Sequence, residues 1–245
     1  VTVRRVLEDD RDIASGIHGA ATAYPSIGGQ GTGASVRAAT EPRGEEVKFT
    51  DPRIRGWLIA GLVSGHAQAM TGQAIGFLVI DRLHLVPAMA LQPTGIVLMM
   101  GAGASLLAQW GIIPILNLTP RVLMLAGLVV AAAGTALTGL ATSLYGIATA
   151  YALASLGFGF IRPGFTAGSS LAVGHESQGS VAGKVTSING ASFILGPSIG
   201  VGLYELYHPL PYLTAGAACL LLLSYCWLRL RDQPADEAVE IATAD

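Results

Sequence analysis

Five polar side chains stand in stretches that are otherwise apolar. His66, Gln68 and Gln73 lie in the run after Gly56, Arg162 lies in Leu156-Gly-Phe-Gly-Phe-Ile-Arg-Pro-Gly-Phe-Thr-Ala-Gly168, and Asn189 opens Asn189-Gly-Ala-Ser-Phe-Ile-Leu-Gly-Pro-Ser-Ile-Gly-Val-Gly202. A histidine can pass a proton, the amides of Gln and Asn both donate and accept, and a guanidinium offers a planar fork that fits a carboxylate or phosphate. His66 and Gln73 are seven residues apart and so share a helix face. Two readings follow for this stripe and for Asn189: a wall facing a water-filled path, or hydrogen bonds between helices. Arg162 is either a cavity residue facing water, an anion or a carboxylate, or a side chain reaching back about one and a half turns to the membrane surface. Around these residues stand Pro163, Gly164 and Gly168, and then Gly196, Pro197 and Gly200. Proline removes a backbone hydrogen bond and glycine lets backbones approach, so these six are helix-packing and hinge candidates.

The chemistry that is missing narrows the field. No Asp or Glu stands mid-stretch, because Asp81 and Glu205 fall at the ends of their runs. Gly179-Ser-Val-Ala-Gly-Lys-Val185 lacks both the loop length and the Ser/Thr of a phosphate loop, and neither Gly157-Phe-Gly159 nor Gly101-Ala-Gly103 completes a dinucleotide fingerprint. There is no serine nucleophile elbow and no His-Glu metal motif. Cys219 and Cys226 are one heptad apart inside an apolar run, so neither disulfide nor metal spacing applies. An enzyme is not expected, and neither is a metal or a cofactor. Nucleic-acid binding lacks a basic patch with interleaved aromatic residues.

The elements that must position the five residues are set by composition. The chain has 245 residues, of which 51% are hydrophobic and only 12% charged, against roughly 25% charge in a soluble domain. That places it in the membrane class. Residues 1–52 mix acidic and basic clusters with Gly-rich Ile27-Gly-Gly-Gln-Gly-Thr-Gly33 and show no apolar period, which reads as a flexible linker or tail. From Gly56 onward the gaps between charges suit spans of about 20 residues. Six transmembrane helices are expected over 57–80, 89–111, 121–141, 145–173, 180–206 and 211–229, with a turn at Thr142-Ser143. The bundle therefore occupies 53–231, followed by a disordered tail over 232–245. Five small-residue pairs, Gly61/Gly65, Gly72/Gly76, Gly164/Gly168, Gly179/Gly183 and Gly196/Gly200, predict tight helix packing.

Charge sets the expected orientation. With the first tail in the cytoplasm, Arg53, Arg55, Arg121, Lys184, Arg229 and Arg231 flank cytoplasmic helix ends, against Arg82 alone on the far side. The positive-inside rule selects that arrangement and puts both termini in the cytoplasm. Trp57, Trp110 and Trp227 fall at the same cytoplasmic ends, while Tyr145, Tyr204, Tyr207 and Tyr212 mark the opposite interface.

Three stretches carry a resemblance. Gly157-Phe-Gly-Phe-Ile-Arg-Pro-Gly164, Glu176-Ser-Gln-Gly-Ser-Val-Ala-Gly183 and Ile194-Leu-Gly-Pro-Ser-Ile-Gly200 resemble the tenth and eleventh helices of major facilitator superfamily transporters, especially bacterial tetracycline and multidrug proton antiporters. Phe77-Leu-Val-Ile-Asp-Arg-Leu83 and Trp110-Gly-Ile-Ile-Pro114 are similar to the end of the seventh helix and the loop between the eighth and ninth. The likeness covers about 53–230. It implies an all-α membrane protein in which six transmembrane helices form one half of a major-facilitator-type transporter. The implied activity is proton-coupled export of small amphipathic compounds. Uptake of an anionic metabolite, or a non-transporting membrane interaction protein, are the alternatives. The implied partners are the lipid bilayer, a small-molecule substrate, and a missing N-terminal half or second subunit; the implied place is a bacterial inner membrane. The chain starts with Val and is expected to be the back part of a longer polypeptide. Asn117-Leu-Thr-Pro-Arg121 stands where the family's Gly-x-x-x-Asp-Arg gating motif is expected, so gating by that loop is not implied.

Overall fold

A computed structural model describes residues 46–174 and 177–230. The Gly-rich stretch at 27–33, most of the first tail, the last tail with Arg231, and His175 and Glu176 of the turn before the fifth helix lie outside the described residues. Between them the chain is helical: α1 Arg55–Arg82, α2 Leu91–Leu116, α3 Pro120–Leu140, α4 Leu144–Leu171, α5 Gln178–Leu206 and α6 Leu210–Arg229. A single short 3-10 turn, Pro87–Met89, lies between α1 and α2.

The helix ends have local causes. Before α1 the Asp51 carboxylate accepts hydrogen bonds from the Arg53 backbone N–H and guanidinium, and the Asp51 carbonyl accepts from the Arg55 N–H. Those hydrogen bonds from Arg53 hold the Asp51 carboxyl below its usual range. Asn117 ends α2 in the left-handed conformation, φ 46°, which an Asn tolerates better than most residues. Thr119 caps α3 by accepting from Val122 N, with Pro120 in the first turn where its missing N–H costs nothing. Ser143 caps α4 by accepting from Gly146 N at 3.2 Å, which places the turn where Thr142-Ser143 predicts it. The expected limits agree with these helices to within a few residues, except that α2 runs on to Leu116 through a π-helical stretch at Leu107–Ile112. That widened turn lies just before Pro114, whose ring excludes regular helical bonding there.

Four of the helices, α2, α3, α4 and α6, are long and apolar enough to cross a membrane. The other two, α1 with 28 residues and α5 with 29, match them in length. They fall short in apolarity because they carry Ser64, His66, Gln68, Thr71 and Gln73, and Thr186, Ser187, Asn189 and Ser192.

Helices consecutive in sequence run antiparallel, so α1, α3 and α5 share one direction and α2, α4 and α6 the other. The start of α1 meets the end of α6 at Gly56 and Leu230, and Arg121 at the start of α3 donates to the Trp227 carbonyl near the end of α6. At the opposite end the Arg82 guanidinium of α1 donates to the Gly139 carbonyl of α3 at 2.9 Å, and Tyr204 of α5 donates to the Asp81 carboxylate.

Glycine decides which faces touch. A Cβ at Gly134 of α3 would lie 2.2 Å from the Ala154 nitrogen, and one at Gly157 of α4 would lie 2.3 Å from the Ala131 nitrogen, so the two backbones are in contact. In lipid no hydrophobic force separates helix from solvent, and close van der Waals contact of this kind is what holds helices together. The α1 to α5 crossing uses Gly65 against Ser192, Gly196 against Ala69 and Gly200 against Met70. Gly61 admits the Phe165 ring, Gly168 the Trp57 ring, and Gly164 lies against Pro120 and Leu123 of α3. Two of the expected pairs do not pack in this way: a Cβ at Gly72 or Gly76 meets only ordinary contacts, and Gly179 and Gly183 have nothing within 4 Å. The α4 helix continues through Pro163 and α5 continues through Pro197.

The core lies among α1, α3, α4, α5 and α6, and includes Trp57, Leu128, Phe158, Phe165, Val185 and both cysteines, which are free and buried. By contrast α2 is peripheral, with only 17% of its membrane-length window buried. The expected aromatic belt is corrected at three positions. Trp57 is 5% exposed, Tyr204 6% and Tyr212 0%, so these rings are packed inside the bundle and cannot mark an interface. Trp110, Trp227, Tyr145 and Tyr207 do stand on the surface.

Gly134→Ala and Gly183→Ala are expected to act in opposite directions on thermal unfolding in nanodiscs. The first forces the α3 and α4 backbones apart and should cost about 1–3 kcal/mol. The second meets open space and should be neutral or gain about 0.5–1 kcal/mol from helix propensity. Equal effects would mean that these helices do not meet at Gly134.

Candidate functional site

The three helices α1, α4 and α5 converge on a small cleft lined by Gly61, Ser64, Gly65, Gln68, Phe158, Ile161, Arg162, Phe165, Asn189 and Phe193. Its polar residues come from three helices: Ser64 and Gln68 from α1, Arg162 from α4 and Asn189 from α5. Glycine positions them, because the rings and hydroxyl admitted at Gly61 and Gly65 set the rotation of α1 against its two partners. The cleft has a volume of about 20 Å³, room for little more than one water.

Arg162 is exposed, and its guanidinium makes no hydrogen bond or ion pair with any described residue. Its backbone carbonyl accepts from the Thr166 hydroxyl at 3.0 Å, so an exposed hydroxyl follows one turn on. Asn189 is half-buried and Gln68 likewise. The arrangement offers a fork of cationic donors beside two amides, a set that suits the oxygens of an anionic group.

His66 and Gln73 stand apart from this group. His66 Nδ1 lies 2.8 Å from the Leu62 carbonyl and 3.3 Å from Ser192 Oγ, while Ser192 donates to the Ile188 carbonyl at 3.0 Å. With both neighbours acting as acceptors, Nδ1 carries the proton and ties α1 to α5. Of the two readings of the stripe, hydrogen bonding between helices describes His66. Gln73 is exposed and lines neither this cleft nor the pocket behind it. The six packing and hinge candidates divide too: Gly164, Gly168, Gly196 and Gly200 sit at helix crossings, and Pro163 and Pro197 are half-buried beside them.

Two polar groupings escape a linear reading. One is an enclosed pocket lined by Gln68, Thr71, Thr135, Thr138, Tyr151, Ser155 and Tyr212 together with Ala154 and Phe158. The other is a cleft of about 580 Å³ at the end of α1, lined by Asp81, Arg82, His84, Thr142, Tyr207, His208 and Pro209. There the Tyr204 and His208 rings stack at 4.8 Å, and His208 Nε2 lies 3.8 Å from the Asp81 carboxylate. Threonine at helical spacing was the only available signal for the first, and such residues are ordinary in any helix. Among the described residues no three His, Cys, Asp or Glu side chains are grouped to hold a metal ion.

No protein-family model matches the chain, and no curated protein matches it.

Labelling by a hydrophilic maleimide in membranes separates the faces. Arg162→Cys and Asn189→Cys should react, whereas Ile161→Cys, next along α4 and buried, should not, and the native Cys219 and Cys226 should stay silent. Reaction at Ile161→Cys as fast as at its neighbour would show that α4 is rotated from the position described.

Proposed function

We propose that this chain is one wall of a secondary transporter: a six-span bundle whose α1, α4 and α5 face a substrate cavity completed by a second helical bundle. The observation that carries the reading is Arg162, an exposed guanidinium on a helix apolar enough to cross a membrane. Charge at that depth in lipid is costly and almost always faces a water-filled cavity or the interior of an assembly. The volume of the cleft supports the need for a second bundle. About 20 Å³ is far below the roughly 300–1,000 Å³ of a small-molecule site, so a substrate must lie on this face and not within the bundle.

On this reading α1 and α5 also cross the membrane. At about 1.5 Å per residue each is longer than the roughly 30 Å hydrocarbon core, and their polar residues face protein or cavity. The excess of Arg and Lys at the ends that begin α1 and finish α6 puts both termini in the cytoplasm, here of a bacterial inner membrane. The resemblance to major facilitator transporters suggests rocking of two bundles about a midplane site and proton-coupled export of small amphipathic compounds. A carboxylate that carries the proton then belongs to the second bundle, because Asp81 stands at a helix end.

A second reading, uptake of an anionic metabolite, is favoured by the same Arg162 with Gln68 and Asn189 beside it. Arg162→Lys distinguishes the two. Replacing the fork by a point charge should weaken binding of an anionic substrate by roughly 1.5–3 kcal/mol, tenfold or more, and should leave a cationic or neutral substrate nearly unaffected. Proteoliposomes test the reading as a whole. Flux should require the second bundle, and substrate-independent labelling of the α4 and α5 face in the complete protein would sink it.

A further inference from the structure

Tyr212 is completely buried at the start of α6, and its hydroxyl has no hydrogen-bond partner among the described residues. It lines the enclosed pocket between α1, α3, α4 and α6. A buried phenolic donor with no acceptor is unusual, since the hydroxyl of a buried tyrosine ordinarily finds a partner. The walls of the pocket show what that partner must be.

Thr71, Thr135 and Thr138 each commit their one proton to the backbone. Their hydroxyls donate at 2.8 Å to the carbonyls of Ala67, Ala131 and Gly134. What they present to the pocket is therefore lone pairs. One wall holds a donor without an acceptor, Thr71, Thr135 and Thr138 hold oxygens whose protons are already committed, and the Tyr212 hydroxyl bonds to none of them. The missing piece must accept from Tyr212 and donate to the threonines. The volume is about 20 Å³, above the roughly 10–15 Å³ that one water requires. An apolar guest would satisfy none of these groups, and a bare cation would leave the Tyr212 proton without an acceptor.

We infer that the pocket is a built water site, in which one internal water accepts from the Tyr212 hydroxyl and donates to threonine oxygens of α1 and α3. Three helices distant in sequence are then linked by a single molecule. Gln68 and Phe158 line both this pocket and the cleft with Arg162, so the water lies one side chain away from the candidate site. On the other side Tyr212 stands one turn from Pro209, which lines the cleft at the end of α1. The site gives the interior a polar track from Arg162 through Gln68 to Tyr212. It does not depend on what the chain transports.

Radiolytic hydroxyl-radical labelling of the whole chain in nanodiscs tests this, with water enriched in heavy oxygen and detection by mass spectrometry. Radicals form where water is bound, so Tyr212 should be oxidised despite its burial, with slow uptake of the heavy isotope compared with exposed Tyr145 and Tyr207. Tyr212→Phe supplies the sign. If the hydroxyl holds a water, the isosteric change removes a satisfied hydrogen bond and should lower Tm by about 2–4 °C. An unlabelled Tyr212, or a Tyr212→Phe variant of equal or higher Tm, would overturn the inference, since removing a truly orphaned donor relieves a penalty. A rise in Tm specific to sodium over potassium, lost in Thr135→Val, would also overturn it by assigning the pocket to a cation.

Discussion

Contact between the backbones of α3 and α4 is the constraint on which the rest of the bundle depends. Gly134 and Gly157 leave no room for even a methyl group between these helices. Once α3 and α4 are pressed together, the other faces of each are fixed. On α4, Phe158, Arg162 and Phe165 turn toward α1, and Gly159 turns toward Ala108 and Ser105 of α2. On α3, Gly139 and Thr135 turn toward α6, where they meet Tyr212 and Gly216. The physical reason is that packing is short-ranged. A gap of half an ångström or more forfeits a quarter to a half of each atom pair's attraction, so helices without a hydrophobic drive between them hold only where they can close up.

The same logic explains where polarity is tolerated. Hydroxyls in the described helices mostly return their protons to a carbonyl one turn back, as Ser64, Thr71, Thr135, Thr138, Thr149 and Thr214 do. Each is then satisfied as a donor without help from a neighbour. Residues that cannot do this sit in special places. Arg162 is at the surface of the bundle, His66 bridges two helices, and Tyr212 faces a pocket. The two ends of the bundle differ as well. The end holding Asp81 is closed by charged and aromatic contacts across α1, α3 and α5, whereas the end holding Trp57 is closed by the Trp57 ring on Gly168 and by Val47, which packs on the helices and donates from its N–H to Ser180.

Much of the architecture was legible in the sequence because it is local. Charge spacing and the Thr142-Ser143 turn placed the helix ends to within a few residues, except where α2 runs on to Leu116. The site was legible only in part. Arg162, Gln68 and Asn189 were picked out as polar residues in apolar surroundings, and the structure gathers them in one cleft. His66 and Gln73 share a helix face, yet one bonds to α5 and the other stands exposed. Period alone could not separate them, because the choice depends on where a partner helix ends its contact. Trp57, Tyr204 and Tyr212 were read as interface residues from their position along the helix, but burial depends on the direction around the axis, and each points inward.

By itself, then, the sequence determined that the chain is apolar and helical, where its helices start and stop, and which side chains are out of place in an apolar run. Those properties follow from composition, capping and hydrogen bonding between residues a turn apart. The tertiary structure alone decided the rotation of each helix about its axis. That rotation is set by glycine contacts between segments such as 127–134 and 154–161, or 65–70 and 192–200. No local signal records it, because a glycine that touches a neighbour and one that faces open space, Gly157 and Gly183 for instance, are the same residue until the partner is in place.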